Sequence, residues 1–466
     1  MSLSSAINSS ASGLRVTGKW AEITSMNIAN VTTEGYGRKT LEITSGSGTG
    51  LRVTGVEREV DDAISRLHRQ NIGRAERQEA TVRGLSPYMS TLGGPDSPFS
   101  LTSQIGRFHG EMSLLAADPG NEGLQRAAIA SATALTVGLH RVTDGVEEAQ
   151  GLARASAAAD TADADDAIRR IAILGRQVMQ EPDGSGFRVS LEDDMSRELD
   201  RLAGIMDFRV ERSPRGEVSL YTTSGAPLVS RNEAIGLTYD AQTGRLLSGE
   251  IDITPGGDGR RGITEGRLAG HILLDRETLP RMQAQLDELA RSLIDGFAAV
   301  DASVAPGQAS IFVDAGSSPT EPLARRIAVN PGLLPDQGGA PWRIRDGLGA
   351  AAQGFTGDNR QVLAFVSLLD SKVAFDPDAG LLSEGRITDF AAVLMTEHQY
   401  VRVRAEEGRD ESRLAAESVS LMRSGVEGVN MDEELQRLLV IEQNYAANAT
   451  VMRTLNELLD TLLASV

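Results

Sequence analysis

Residues 27–38 read NIANVTTEGYGR. The residues before this stretch, 1–26, contain no proline and only two glycines, Gly13 and Gly18, so they read as a helix. Gly35, Tyr36 and Gly37 then break the pattern. At a heptad period Ile7, Leu14, Ala21 and Ile28 form one row of that helix, and Leu3, Ser10, Thr17, Thr24 and Val31 form the adjacent row. The second row is mostly small and polar. A helix with so narrow an apolar face is marginal by itself and needs something to pack against.

The far end of the chain supplies a match. Leu438, Ile441, Tyr445, Asn448, Met452, Leu455, Leu459 and Leu462 alternate by three and four residues, which predicts a long amphipathic helix. Asn430 precedes Met431, Asp432 and Glu433 as an N-cap with a carboxylate at the third helical position. Asn448 is the single polar residue in the row, a position that costs stability and fixes register or partner. Two stripes at opposite ends of the chain, each with heptad spacing, are expected to pair with each other. Copies from neighbouring chains would then cover what remains, which is how an open, non-closing assembly is built.

Between the ends, residues 61–91 are helix-prone up to Gly84 and Pro87. Residues 121–180 form a long Ala-rich helical stretch capped by Asn121, with loosening expected at Gly145 and around Asp160–Asp166. From Phe208 to Ile253 short alternating segments are separated by Pro-Arg-Gly, Ser-Gly-Ala-Pro and Thr-Gly, the pattern of antiparallel hairpins. Helix returns at 264–300, strand character follows between 311 and 344, and helix resumes at 359–369 and 383–421. The expected fold is mainly α with an inserted β domain. Paired terminal coiled-coil helices (1–50 with 425–466) flank a discontinuous helical middle domain (51–204 with 264–424) and a small antiparallel β outer domain (205–263).

Composition narrows the function classes. The 466 residues carry 65 acidic against 46 basic side chains, a net charge of −19, which repels phosphate backbones and anionic lipid, so no nucleic-acid partner is expected. There is no cysteine, hence no disulfide, thiolate metal site or Cys nucleophile. Residues 1–20 lack the basic and apolar regions of a cleavable signal, and no apolar run is long enough to insert in a membrane.

Catalytic and metal motifs are wanting. The five histidines, at 68, 109, 140, 271 and 398, are isolated in sequence and read as surface or core residues rather than ligands. SGSGTG at 45–50 lacks the Gly-Lys-Ser/Thr of a phosphate loop and reads as a flexible connector. DTADADD at 160–166 alternates carboxylates like a calcium loop, but Ile168 stands where the turn glycine belongs, so a solvated helix face or a helix break is the better reading. No enzyme activity and no metal or organic cofactor is expected.

The segment SMNIANVTTEGYGRKT, residues 25–40, resembles the Asn-Ile-(Ala/Ser)-Asn…Gly-(Tyr/Phe) signature of the bacterial flagellar rod, hook and hook-associated proteins. SGVEGVNMDEELQRLLVIEQNYAANATVMRTLNELLDTLL, residues 424–463, is similar to their C-terminal signature, and the two occur in the family's order. Tyr36 with Arg38, VEREVDDAISRLHRQ at 56–70 and the segment 265–297 favour a member at the hook–filament junction. The alternatives are another axial protein, such as the second junction protein or a hook subunit, or a secreted adhesin or enzyme using the same export route.

The resemblance implies a structural chain exported unfolded to the extracellular flagellum, where it polymerises with identical subunits at the distal end of the hook. Its partners would be the hook protein, the second junction protein and a cytoplasmic export chaperone on the C-terminal helix. Ile7, Leu14, Ile28, Leu438, Ile441, Tyr445, Asn448, Met452, Leu455, Leu459 and Leu462 would form the assembly seam. Gly35 and Gly37 would turn the chain out of the inner helix, placing Tyr36 and Arg38 where subunits or layers meet.

Overall fold

A computed structural model describes residues 3–464 apart from 34, 47–49, 95–96, 214–215, 257–260 and 317. The first helix, α1 (Leu3–Ala29), gives way to a hairpin of β1 (Lys39–Gly46) and β2 (Gly50–Arg58). Three long helices follow, α2 (Asp62–Leu92), α3 (Leu101–Ala117) and the 59-residue α4 (Glu122–Gln180), then α5 (Gly186–Ile205). The β insertion forms two small antiparallel sheets. The first is β3 (Arg209–Arg212), β4 (Val218–Tyr221), β5 (Pro227–Ser230) and β6 (Glu233–Ala234); the second is β7 (Leu237–Asp240), β8 (Arg245–Ser248) and β9 (Ile251–Asp252).

The chain then returns to helix in α6 (Arg267–Leu273), a π-helical turn (Leu274–Thr278) and α7 (Leu279–Val300). Short elements follow: β10 (Phe312–Asp314), α8 (Leu323–Arg326), β11 (Ile327–Val329), α9 (Arg343–Asp346), α10 (Arg360–Asp370), β12 (Val373–Ala374) and β13 (Glu384–Gly385). The last two helices are α11 (Ile387–Glu427) and α12 (Met431–Ala464). The expected class, mainly α with paired terminal helices and small antiparallel sheets between, is the one observed. Among the described residues no helix is long and apolar enough to cross a membrane.

Several local expectations are corrected. Helix α2 runs through Gly84 and Pro87 to Leu92, because Gly84 leaves room for the Leu274 side chain and Leu85, Tyr88 and Leu92 are all fully buried. Helix α4 does not loosen. Asn121 caps it as expected, accepting from the amides of Gly123 and Leu124, and Gly145 lies against Thr91 with no space for a Cβ. The carboxylates at 160–166 stay helical and are claimed by arginines: Asp160 and Asp163 by Arg267, Asp165 by Arg169, Asp166 by Arg170 and Arg201. They form neither a helix break nor a calcium loop.

Of SGSGTG, residues 45, 46 and 50 belong to the paired strands β1 and β2, with Gly46 opposite Gly50, and 47–49 lie outside the described residues. The boundary expected at 50/51 therefore falls inside β2, within a paired hairpin. Strand character at 311–344 reduces to two three-residue strands, and the last middle helix spans 387–427 rather than 383–421.

Two large cores divide the body. One gathers the end of α2, α3, the first half of α4 up to Ala153, α7, α10 and the start of α11, around the ring cluster of Phe108, Phe297, Phe312 and Phe365. The other joins the second half of α4, from Ala157, to α5, α6 and the β insertion through Ile168, Leu199, Leu220 and Leu246. The sheets share this core with three helices and have none of their own. A third, minimal cluster of Ile23, Val56 and Val189 ties α1 and the hairpin to α5.

His398 is fully buried in the first core. Its Nδ1 accepts from the Tyr88 hydroxyl at 2.5 Å and its Nε2–H donates to Gln285 Oε1 at 2.6 Å, so the neutral ring fills both positions. Burial first, then the charge of Arg281, push its pKa down to about 3. The unfolded chain, with an ordinary histidine near 6.5, takes up the proton first on acidification, so this stability is complete above pH ~6.5 and is lost as pH falls toward 3. Between pH 6.5 and 4 the loss is roughly 3 kcal/mol. Urea unfolding at the two pH values should show it in the wild type and not in His398→Gln; equal pH dependence in both would assign the acid sensitivity elsewhere.

Candidate assembly site

The terminal helices run antiparallel, with Asn27 meeting Glu434 at one level and Gly13 meeting Asn448 at another. Which face of α1 is used follows from its side chains. Buried positions are Ser10, Ser12, Gly13, Val16, Thr17, Ile23, Thr24 and Asn27, a mostly small and polar set that lets α12 and the hairpin approach closely. Thr17 returns its hydroxyl to the Gly13 carbonyl at 2.9 Å, and Ser12 Oγ receives the Leu51 amide at 3.2 Å.

The apolar row Ile7, Leu14, Ala21 and Ile28 lies at the edge of this face and is only half-buried. On α12, Ile441 is buried and Leu438, Asn448, Met452, Leu455 and Leu459 are half-buried, whereas Tyr445 and Leu462 are exposed. Leu435, Leu439, Val440, Val451 and Leu458 are exposed as well. The chain thus leaves much of its terminal apolar surface uncovered. A Cβ on Gly13 would lie 2.9 Å from Asn448 Oδ1, so the polar residue of the α12 row sits against a glycine. Gly13→Ala should therefore loosen the pair less in an Asn448→Ala background. A double-mutant cycle read by proteolysis of the termini should give a coupling of roughly 0.5–3 kcal/mol, and strict additivity would count against this contact setting the register.

Where α1 ends, Asn27 acts as a fastener. Its Nδ2 donates to the Lys39 carbonyl (2.9 Å) and to Glu434 Oε2 (3.2 Å), while its Oδ1 accepts from the Lys39 amide (3.0 Å) and the Tyr36 hydroxyl (3.0 Å). Glu434, in the first turn of α12 and 1% exposed, also faces Arg38 Nε at 3.3 Å and Arg437 at 3.1 Å. Asp193 of α5 holds Lys39 at 3.2 Å and Arg58 at 2.5 Å and accepts from the Gly37 amide at 3.3 Å. The Arg38 amide donates to the Glu427 carbonyl at 2.8 Å; the Glu427 carboxylate accepts from the Asp61 amide and Ser65 and pairs with Arg423. Arg423 and Arg69 share Asp200. One continuous polar network so joins α1, the hairpin, α2, α5, α11 and α12.

Asn430 caps α12 as expected, accepting from the amides of Asp432 and Glu433. Gly35 adopts φ +74°, as its turn requires, but Gly37 does not: there a Cβ would fall 2.7 Å from Arg58 Nε, so close packing, not a left-handed turn, demands glycine. Burial, with the charges of Asp193 and Glu434, pushes the Tyr36 phenol up, which keeps it a donor to Asn27. Within the chain, then, Tyr36 and Arg38 face their own subunit. Asn27, Asp193, Glu427 and Glu434 were not singled out from sequence. Asn27 and Glu434 stand inside the quoted signatures, whereas nothing local marks Asp193.

The network ties the two ends of the chain into one unit, and both the body and the C-terminal end match models of flagellar axial proteins. A family model described as flagellar hook-associated protein FlgK helical domain matches residues 90–304, and one described as flagellar basal body rod FlgEFG protein C-terminal matches residues 426–465. The chain is similar to the flagellar hook-associated protein 1 of Bacillus subtilis (strain 168), 21% identical over 489 residues and covering 94% of each chain. Among solved structures it is similar to the flagellar hook junction protein FlgK from Burkholderia pseudomallei, at 18% identity and a TM-score of 0.41, over 55% of this chain and 44% of that one. It therefore spans less than half the length of that solved chain.

Proposed function

We propose that this chain is a non-enzymatic structural subunit that polymerises at the distal end of the hook, outside the cell, as the hook–filament junction. The observation that carries the reading is the uncovered apolar surface of the terminal pair: Leu435, Leu439, Val440, Tyr445, Val451, Leu458 and Leu462 are exposed on α12, with Ile7, Leu14 and Ile28 of α1 and Leu438, Met452, Leu455 and Leu459 of α12 half-buried beside them. A monomer gains nothing from exposing it, and copies of the same pair would cover it. Tyr36 and Arg38, held inward, set the angle at which the pair leaves the body. Residues 1–58 with 425–466 would line the tube, the expected first boundary moving from 50 to 58 so as to keep the hairpin whole. Residues 51–204 with 264–424, less that hairpin, would form the middle layer and 205–263 the outer surface.

Identical subunits, the hook protein and the second junction protein would be the partners in place. An export chaperone would cover α12 beforehand, as a groove covers an amphipathic helix. Electron microscopy of cells lacking the chain tests the placement. Hooks without filaments are the expected result; loss of the hook itself would reassign the chain to another axial position.

A further inference from the structure

The two large cores meet at one level, which α2, α4 and the run from α6 to α7 all cross, and the packing there is made largely by small residues. On α4 the buried residues are Ala149, Ala153 and Ala157, of which Ala153 belongs to one core and Ala157 to the other. Between Gly151 and Ala159 the only larger side chains are Leu152, exposed, and Arg154. No large apolar side chain crosses from one core to the other along this helix. On the second connecting element the change falls between Ile272 and Leu274, where the helix takes its π-helical turn.

Three consecutive residues of that turn reach three different neighbours. Asp275, buried, receives Arg154 of α4 at 2.9 Å, and its carbonyl accepts from Gln150 at 3.4 Å. Arg276 lies against Gly244 in the β7–β8 turn, and Glu277 against Gly256 in the loop after β9. At the same level α2 offers Ala80 and Gly84, on which Gly270 and Leu274 rest with no space for a larger side chain. Large interlocking side chains resist sliding, whereas smooth small-residue contacts permit shear, and single π-turns inside α-helices occur frequently at functional sites.

We propose that this alanine neck and π-turn form a pivot on which the β-bearing half moves relative to the helical half, with the Arg154–Asp275 pair as its clasp. The inference is independent of where in the flagellum the chain sits. A pivot here lets the β-bearing half, together with the terminal pair that α5 holds through Asp193 and Val189, tilt relative to the helical half. Because Asp275 is buried and Arg154 is partly exposed, releasing the clasp removes a tie without opening either core.

The absence of cysteine makes the test direct, since introduced cysteines are the only labelling sites. Spin labels at Ala134→Cys and Gln242→Cys span the neck; labels at Ala134→Cys and Leu363→Cys stay within the helical half. All three positions are exposed. Pulsed dipolar measurements on the whole chain should give a distance distribution about twofold wider across the neck than within the half, a hinge-type amplitude. Arg154→Ala should widen the cross-neck distribution further and Arg154→Lys should restore it. Equal widths for the two pairs in the wild-type background overturn the pivot, and this comparison needs no clasp variant to fold. An Arg154→Ala distribution unchanged from wild type, or one equally widened by Arg154→Lys, overturns the clasp.

Discussion

Leu455→Asp should abolish incorporation at the hook end while leaving the melting of the body unchanged. The register fixed by the contacts of Asn27 with Glu434 and Gly13 with Asn448 carries Leu455 to the level of Ala6 and Ile7, where it is half-buried in the single chain. Its remaining face is free for a neighbouring copy. Burying a leucine contributes about 1.5–3 kcal/mol, and an aspartate in its place would be desolvated without a partner in every subunit. The two body cores do not include this residue, so thermal unfolding followed on them should move by less than about 0.5 kcal/mol. Glu442→Ala, on an exposed position of the same helix, is the tolerated control. Cells that build filaments on Leu455→Asp protein would show that the seam is not an assembly surface.

Asn27→Ala is expected to free the terminal pair from the body. The substitution leaves the Lys39 amide and carbonyl, the Tyr36 hydroxyl and one Glu434 oxygen without their partner, in a place where Asn27 is 1% exposed. Each buried polar group so stranded costs about 1–3 kcal/mol, for a total on the order of 3 kcal/mol or more after local relaxation. Among the described residues the buried apolar tie beyond α12 is the small cluster of Ile23, Val56 and Val189, which cannot offset that. Limited proteolysis should cut residues 1–40 and the start of α12 much faster in the variant, with fragments of the body persisting as in wild type. Unaltered cleavage would mean that the ion pairs of Asp193 and Glu434 suffice by themselves.

The sequence announced most elements because periodicity, caps and turn residues act locally. Asn121 and Asn430 cap the helices they were expected to cap, and the hairpins at 209–252 follow their Gly and Pro punctuation. Reading failed where a distant neighbour decides. Gly84 and Gly145 look like interruptions until Leu274 and Thr91 are seen lying against them. The polar row of α1 looked like the weak side and proved to be the buried one, since close approach of helices favours Ser, Thr and Gly over bulk. Asp193 carries a large part of the junction network from the middle of an ordinary helix, and no spacing rule could have reached it.

The link between Asn27 and Glu434 spans 407 positions of the chain. Closing so long a loop in an unfolded chain costs roughly 5 kcal/mol in (3/2)RT ln n alone. Once α2 and α11 have docked, with Asp61 and Ser65 bound to Glu427, only the few dozen residues between those anchors and the pair remain to be closed, and the same expression falls by roughly 2 kcal/mol. The order of events is thereby biased in time: the body folds first and brings the two ends within reach, and the terminal helices meet last. A molecule still lacking its final helix would hold a finished body and an unmatched first helix, and so would lack the paired terminal surface until it was whole.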